Sequence, residues 1–324
     1  MHRPNSLEIR YDLMLYPIAP FNFDGTVYKP SHFPSSDNAY EEGQYWQTMR
    51  FNGRILGTKM VNRGSIDQPR VELSIYATEE IPFDEIKKCA DEIEYRFDMK
   101  ADLSDFYRKF ADDEILGPAL ERWLGMRVMV NASLYEFLVI ATVLQNATVR
   151  RSVQMLENLF RRYGTRVTYD DKELSAYWPP EAIHHTSEEE LRALKVGYRA
   201  RQLKRQAELF ASGELNEFYL RTLSSDELKA ILLGIYGIGP ASVGYVMFEV
   251  FKRYDALDYI SPWEQKIYSR LLFHRELVDK EVILDEVNAR WGEWKMLAMH
   301  YIFEDLFWQR KTQHIAWLEE LIRL

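Results

Sequence analysis

The chain of 324 residues has a single cysteine, Cys89. One thiol excludes an intramolecular disulfide, and it excludes an iron–sulfur cluster held by four cysteines of this chain. No apolar run reaches the roughly 18 residues that a membrane span needs. Met1-His2-Arg3-Pro4 leads into no apolar signal region. The expectation is a soluble intracellular protein, cytoplasmic or associated with the nucleoid, with no membrane partner. An excess of positive charge is missing too, since 41 Lys and Arg face 50 Asp and Glu for a net charge of -9. Generic affinity for a phosphate backbone needs Lys and Arg, so any nucleic-acid surface must arise from how the charges are distributed. Internal repeats and low-complexity tracts are also missing, and with 47% hydrophobic residues the chain is long enough to bury a substantial core.

Two basic segments stand out against the acidic total. Residues 192–205 carry Arg192, Lys195, Arg199, Arg201, Lys204 and Arg205 without an acid. Arg150, Arg151, Arg161, Arg162 and Arg166 form a second cluster, relieved only by Glu157. The alternative for both is a solvated helix face.

Hydrophobic periodicity predicts an α+β N-terminal domain over residues 1–101, an antiparallel sheet with one helix. Strands are expected at residues 11–16, 44–51, 54–61 and 71–77, with Asn52-Gly53 as a hairpin turn. Ile86, Cys89, Ile93 and Phe97 mark the buried face of a helix over residues 83–97. Residues 29–42, rich in Pro, Ser and Asn, read as an exposed loop. From residue 102 to 324 the pattern is mainly α-helical, with a capping box at Ser133–Glu136 and a long aromatic helix over residues 285–308.

Within this helical part the chain turns twice on glycine, at Gly237-Ile238-Gly239-Pro240, between an apolar run at 228–235 and a helical pattern at 241–251. A turn this tight between two helices makes a helix-hairpin-helix, whose outward amides can hold a phosphate oxygen. Farther on, Ser261-Pro262-Trp263-Glu264 combines a serine cap, a proline at the first helical position and a glutamate three after the cap. That is a complete structural signature for a helix start. It is also a carboxylate held at a fixed place.

Further pieces follow in a set order: Ile115-Leu116-Gly117-Pro118, Tyr135-Glu136-Phe137-Leu138-Val139, Leu144-Gln145-Asn146-Ala147-Thr148-Val149, Gly197-Tyr198-Arg199-Ala200-Arg201, the glycine hairpin, and Arg290-Trp291-Gly292-Glu293-Trp294. In that order they resemble the helix-hairpin-helix (HhH-GPD) DNA glycosylases, above all the bacterial DNA-3-methyladenine glycosylase II type and more distantly the 8-oxoguanine DNA glycosylases. The resemblance implies an α+β domain followed by a helical glycosylase core, binding damaged double-stranded DNA as a monomer. It implies that Gln145 and Asn146 fill the gap left by a flipped base, that Gly237, Ile238 and Gly239 hold the backbone, and that Arg199 and Arg201 contact it. Ala241, Tyr245 and Phe303 would line the base pocket, and Glu264 would stand for the family's catalytic Asp. Ala241 occupies the position where strand-cleaving members carry a lysine, so a monofunctional enzyme is expected. No cofactor is implied beyond a monovalent cation that the family's hairpin can hold. The rival is a non-catalytic relative that binds lesions without excision; a helical interaction scaffold would need neither plug nor carboxylate.

Overall fold

The computed structural model describes residues 4–322, so the Met1-to-Arg3 stretch of the signal-region reading lies outside it. Strands β1 (Asn5–Ser6), β2 (Ile9–Leu15), β3 (Asn38–Glu41), β4 (Gln44–Phe51), β5 (Arg54–Asn62) and β6 (Val71–Ala77) come first. Five of them form an antiparallel sheet in the order β2-β6-β5-β4-β3. Asn52 and Gly53 take φ of 47° and 78°, the left-handed pair that a two-residue hairpin requires. After a short helix α1 (Phe23–Val27), helix α2 (Phe83–Arg96) lays Ile86, Cys89 and Ile93 on Met49, Met60, Leu73 and Ile75 of the sheet. Burial of each such side chain contributes about 1.5–3 kcal/mol. Cys89 is a packing residue there, 1% exposed.

The helical part contains α3 (Ser104–Phe110), α4 (Gly117–Arg122), α5 (Leu134–Leu144), α6 (Val149–Tyr163), α7 (Pro180–His184), α8 (Glu188–Ala193), α9 (Arg199–Ala211) and α10 (Glu217–Leu220). It continues with α11 (Ser225–Gly234), α12 (Pro240–Tyr245), α13 (Pro262–Phe273), α14 (Lys280–Trp291), α15 (Lys295–Thr312) and α16 (Ala316–Ile322). The expected capping box at Ser133 is present, with both reciprocal bonds made. Among the described residues no helix is long and apolar enough to cross a membrane.

Four local expectations are corrected. The helical part is interrupted by a hairpin, β7 (Thr165–Tyr169) and β8 (Lys172–Ala176), whose turn residues Asp170 and Asp171 take φ of 45° and 57°. Asp tolerates the left-handed region but signals it more weakly than glycine. β1 pairs parallel with β7, so a second sheet, β1-β7-β8, joins the start of the chain to its middle. Tyr169 packs where Gly57 leaves room, since a Cβ there would lie 2.5 Å from the ring, and its hydroxyl donates to the Gln47 carbonyl at 2.7 Å. Residues 29–42 are no exposed loop: Lys29 and Asp37 are buried, and β3 runs within the stretch. The single helix expected at 285–308 is two, because Gly292 (φ 50°, ψ −118°) turns the chain between α14 and α15. Finally, the second hairpin helix leaves α geometry at Val246–Val250, where it takes π-helical spacing.

Charge ties the two parts together. Glu92 on α2 accepts from Arg96 at 2.7 Å and from Arg221 at 2.6 and 2.7 Å, and Arg221 also pairs with Glu217 and stacks on the Tyr95 ring.

Candidate functional site

The glycine turn sits between α11 and α12. Ile238 N donates to Ile235 O at 3.0 Å, and Gly237 takes φ of 86°. The left-handed backbone favours glycine here, and a Cβ on Gly237 would lie 2.6 Å from the Gln202 side chain, which would have to shift. Gly239 differs: it caps α12 in extended geometry, and an added Cβ would meet nothing within 4 Å. The turn is therefore packed behind Gly237 and open in front of Gly239. Two glutamines hold it from behind. Gln145 Nε2 donates to the Gly237 carbonyl at 2.7 Å while its Oε1 accepts from Gln202 at 3.2 Å, and Gln206 Nε2 donates to the Tyr236 carbonyl at 3.3 Å. The carbonyls of Ile235, Tyr236 and Gly237 each accept a protein donor, which fixes their directions within the turn.

Asn146 follows Gln145 at the end of α5. It is exposed, with φ of 47°, and its amide reaches the Tyr198 hydroxyl at 3.4 Å. Gln145 thus ties the turn to the neighbour of a protruding side chain. The structure corrects Arg199, expected on the surface: it is 7% exposed, donates to Thr142 O at 3.1 Å and to Gln145 O, and lies 4.6 Å from the Tyr198 ring. Its donors close the last turn of α5, which aims Gln145 and Asn146. Arg201 is exposed and shared with Glu188 at 3.2 Å. Much of the remaining basic segment is also engaged: Lys204 donates to the carbonyls of His184 and Thr186, Arg192 pairs with Glu188, and Arg205 lies 4.1 Å over the Tyr236 ring. Tyr198 and Tyr236, 50% and 42% exposed, flank Asn146 and the turn. Sequence reading gave neither a role, although Tyr198 stands inside one of the matched segments and Tyr236 directly before the first glycine.

Glu264 is the third position of α13 and is only 3% exposed. Its Oε2 accepts from Ser261 N at 2.8 Å, completing the capping box, and its Oε1 accepts from Tyr245 at 2.7 Å and Tyr268 at 3.1 Å. Burial, then the Glu264 charge, holds both phenols well above their ordinary range, which keeps them donors. Tyr268, one turn along from Glu264, was legible as its partner from helical spacing. Tyr245 turns its hydroxyl inward while the residue is 36% exposed, so it roofs the carboxylate. Ala241 lies one turn earlier on α12 and is partly buried. Phe303 is less free than expected, edge-on to Trp263 at 5.9 Å and tilted against Phe307 at 4.7 Å. Trp291 is core, 1% exposed. Among the described residues no group of three or more His, Cys, Asp or Glu is placed to hold a metal ion.

A glycine turn between helices, a carboxylate at the next long helix start and a strand-rich start to the chain occur together here. The chain has the fold of the helix-hairpin-helix DNA glycosylase superfamily. It is 16% identical to the 3-methyladenine DNA glycosylase from Archaeoglobus fulgidus, with a TM-score of 0.75 over 91% of this chain and 98% of that one. The Clostridium acetobutylicum 8-oxoguanine glycosylase/lyase in complex with double-stranded DNA superposes with a TM-score of 0.69 at 18% identity, over 94% and 99% of the two chains. In sequence, the chain is 22% identical over 236 residues to a probable N-glycosylase/DNA lyase of Methanothermobacter thermautotrophicus, covering 67% of this chain and 74% of that one. It is 24% identical over 215 residues to the DNA-3-methyladenine glycosylase of Bacillus subtilis, covering 65% and 70%. No family model matches the chain. These glycosylases divide between alkylated and oxidised bases, and between members named lyase and members not so named.

Proposed function

We propose that the protein is a DNA glycosylase of base excision repair, acting as a monomer on damaged double-stranded DNA. The observation that carries this reading is the Gln145 bridge. One side chain fixes the glycine turn, which would hold a phosphate, beside Asn146, which would enter the duplex where a base has left. Extruding a base costs a few kcal/mol of stacking and pairing, and a polar plug that can bond the orphaned partner recovers part of it. Glu264 would then stabilise the positive charge that develops at the sugar C1′. Substrate reaches it only after Tyr245 swings aside, because three donors and the Tyr245 ring now enclose the carboxylate.

Strand cleavage is not part of the proposal. Position 241 supplies no amine, and buried Lys29 and half-buried Lys252 are committed to carbonyls, Lys29 to those of Gly25 and Arg127, Lys252 to those of Arg96, Val128 and Glu249. An alkylated base, the class first suggested by Tyr245 and Phe303, would find the Phe303 ring already packed against Trp263 and Phe307. The three hydrogen bonds already made to Glu264 favour a second reading, lesion binding without excision. A panel of duplexes with one defined lesion each, treated with hot alkali to reveal abasic sites, separates the two. Excision of at least one lesion supports the enzyme. Tight lesion binding with no alkali-labile product supports the binder.

A further inference from the structure

Glu249 lies one turn beyond Tyr245, in the π-helical segment, where the wider turn changes which side chains face inward. It is 8% exposed, and its carboxyl has no hydrogen-bond partner among the described residues. Across from it, His300 and Glu304 stand one turn apart on α15, 9% and 2% exposed. Ser31 donates to Glu304 Oε1 at 2.5 Å, but Glu304 Oε2 and His300 Nε2 have no partner. Residues 29–32 close the third side. His32 is solvent-exposed, yet the surrounding protein, and after it the Lys29 charge, pushes its imidazole down to about 4. The Lys29 charge acts on Glu249, Glu304 and His300, and His32 acts on His300, so these side chains gather around one spot that His32 borders on the solvent side.

Buried polar groups almost always find partners, and three open ends facing one crevice need an explanation. Resting on the glycosylase reading, we infer that this crevice receives the edge of the extruded base, and that the base it suits is a damaged purine with a lactam edge, N–H and C=O side by side. A carboxyl group that keeps its proton matches a lactam in two parallel hydrogen bonds, its O–H to the C=O and its carbonyl oxygen to the N–H. Burial holds Glu249 up to about 7, so near neutrality much of it is in that protonated form. The neutral imidazole of His300 adds one more donor or acceptor. A base without such an edge would leave all three ends unpaired, and sites built on hydrogen bonds reject such analogues strongly. Lactam edges arise by oxidation, as in 8-oxoguanine, and by deamination, as in hypoxanthine.

Fluorescence anisotropy on the full chain tests this with duplexes of one sequence carrying 8-oxoguanine, hypoxanthine, a nonpolar indole base or a tetrahydrofuran abasic analogue. At least one lactam base is expected to bind about tenfold or more tighter than the indole base, the order of one net hydrogen bond. Comparing the two lactams tells oxidation from deamination. Glu249→Leu, and the milder Ser31→Ala that lets Glu304 turn away, should shrink the preference to about twofold while keeping abasic affinity. Equal binding of lactam and indole duplexes by the parent, or an unchanged preference in folded Ser31→Ala and Glu249→Leu, overturns the crevice assignment. Failure of the parent to prefer the abasic duplex over undamaged DNA would instead overturn the glycosylase reading beneath it.

Discussion

Glu264 serves two masters, the start of α13 and, in the proposed reaction, the sugar. Glu264→Gln keeps an acceptor for Ser261 N and removes the charge. Binding to an abasic analogue should stay within a few-fold of the parent while excision falls by about a hundredfold or more, the order for losing one preorganised electrostatic group. Equal excision by both proteins would remove Glu264 from the mechanism. Tyr245→Phe keeps the ring and deletes one of the three hydrogen bonds on the carboxylate. If Tyr245 must leave before reaction, single-turnover excision should rise by up to about tenfold, the equivalent of one hydrogen bond. A fall would mean that the phenol itself assists the reaction.

The two glycines of the turn make opposite predictions. Gly237→Ala meets both a left-handed backbone and the Gln202 side chain, so it should lower stability by roughly 1–2 kcal/mol, read from a urea midpoint. Gly239→Asp has free space and occupies a helix cap that Asp favours, so the thermal midpoint should hold or rise. Its charge should nevertheless weaken binding to every duplex, damaged or not. Equal affinity in a low-salt titration would take the turn off the DNA surface. Periodicity and turn chemistry are why these elements were legible: Asn52-Gly53, the Ser133 capping box and the glycine turn are each written in consecutive residues. What escaped was set at a distance. Arg199 is drawn inward by the carbonyls that end α5, Asp170 and Asp171 turn a hairpin because β1 and the first sheet receive it, and the α14–α15 break depends on one glycine in an otherwise continuous apolar pattern.

Across the whole molecule, the buried charges around the crevice should shape stability against pH. Burial holds Glu249 at about 7, above its ordinary 4.5, so between those values the folded protein keeps a proton that the unfolded chain has released. Its favourable contribution is full below about 4.5 and is lost as pH rises through 7. Burial pushes Lys29 and Lys252 down to about 8 from 10.5, so their charged forms penalise folding below about 8 and the penalty lifts toward 10.5. His300, held neutral by burial, opposes the Glu249 slope on the acid side. Subtraction isolates the glutamate: Glu249→Gln should gain stability relative to the parent as pH rises from about 5 to 8, measured by urea midpoints. A constant difference over that range would show that Glu249 is ionised when folded. We also propose a division into units 1–101 and 102–324. A 1–101 fragment would expose Leu7, Trp46 and Tyr76, which Val167, Tyr169 and Leu174 now cover, so it should unfold at lower urea than the sheet within the full chain.

The parallel pairing of Asn5 with Val167, and the Ser31 hydroxyl on Glu304, also fix an order of events on the ribosome. The first strand emerges without a neighbour and waits for the middle of the chain. The wall of the crevice that stands on α15 emerges after its other walls. A chain cut short before α15 would carry the glycine turn and Asn146 but only part of the proposed crevice, and it would lack Leu297, Met299 and Tyr301 from the helical core. On the proposed reading, selection of a base waits for α15 to emerge and pack.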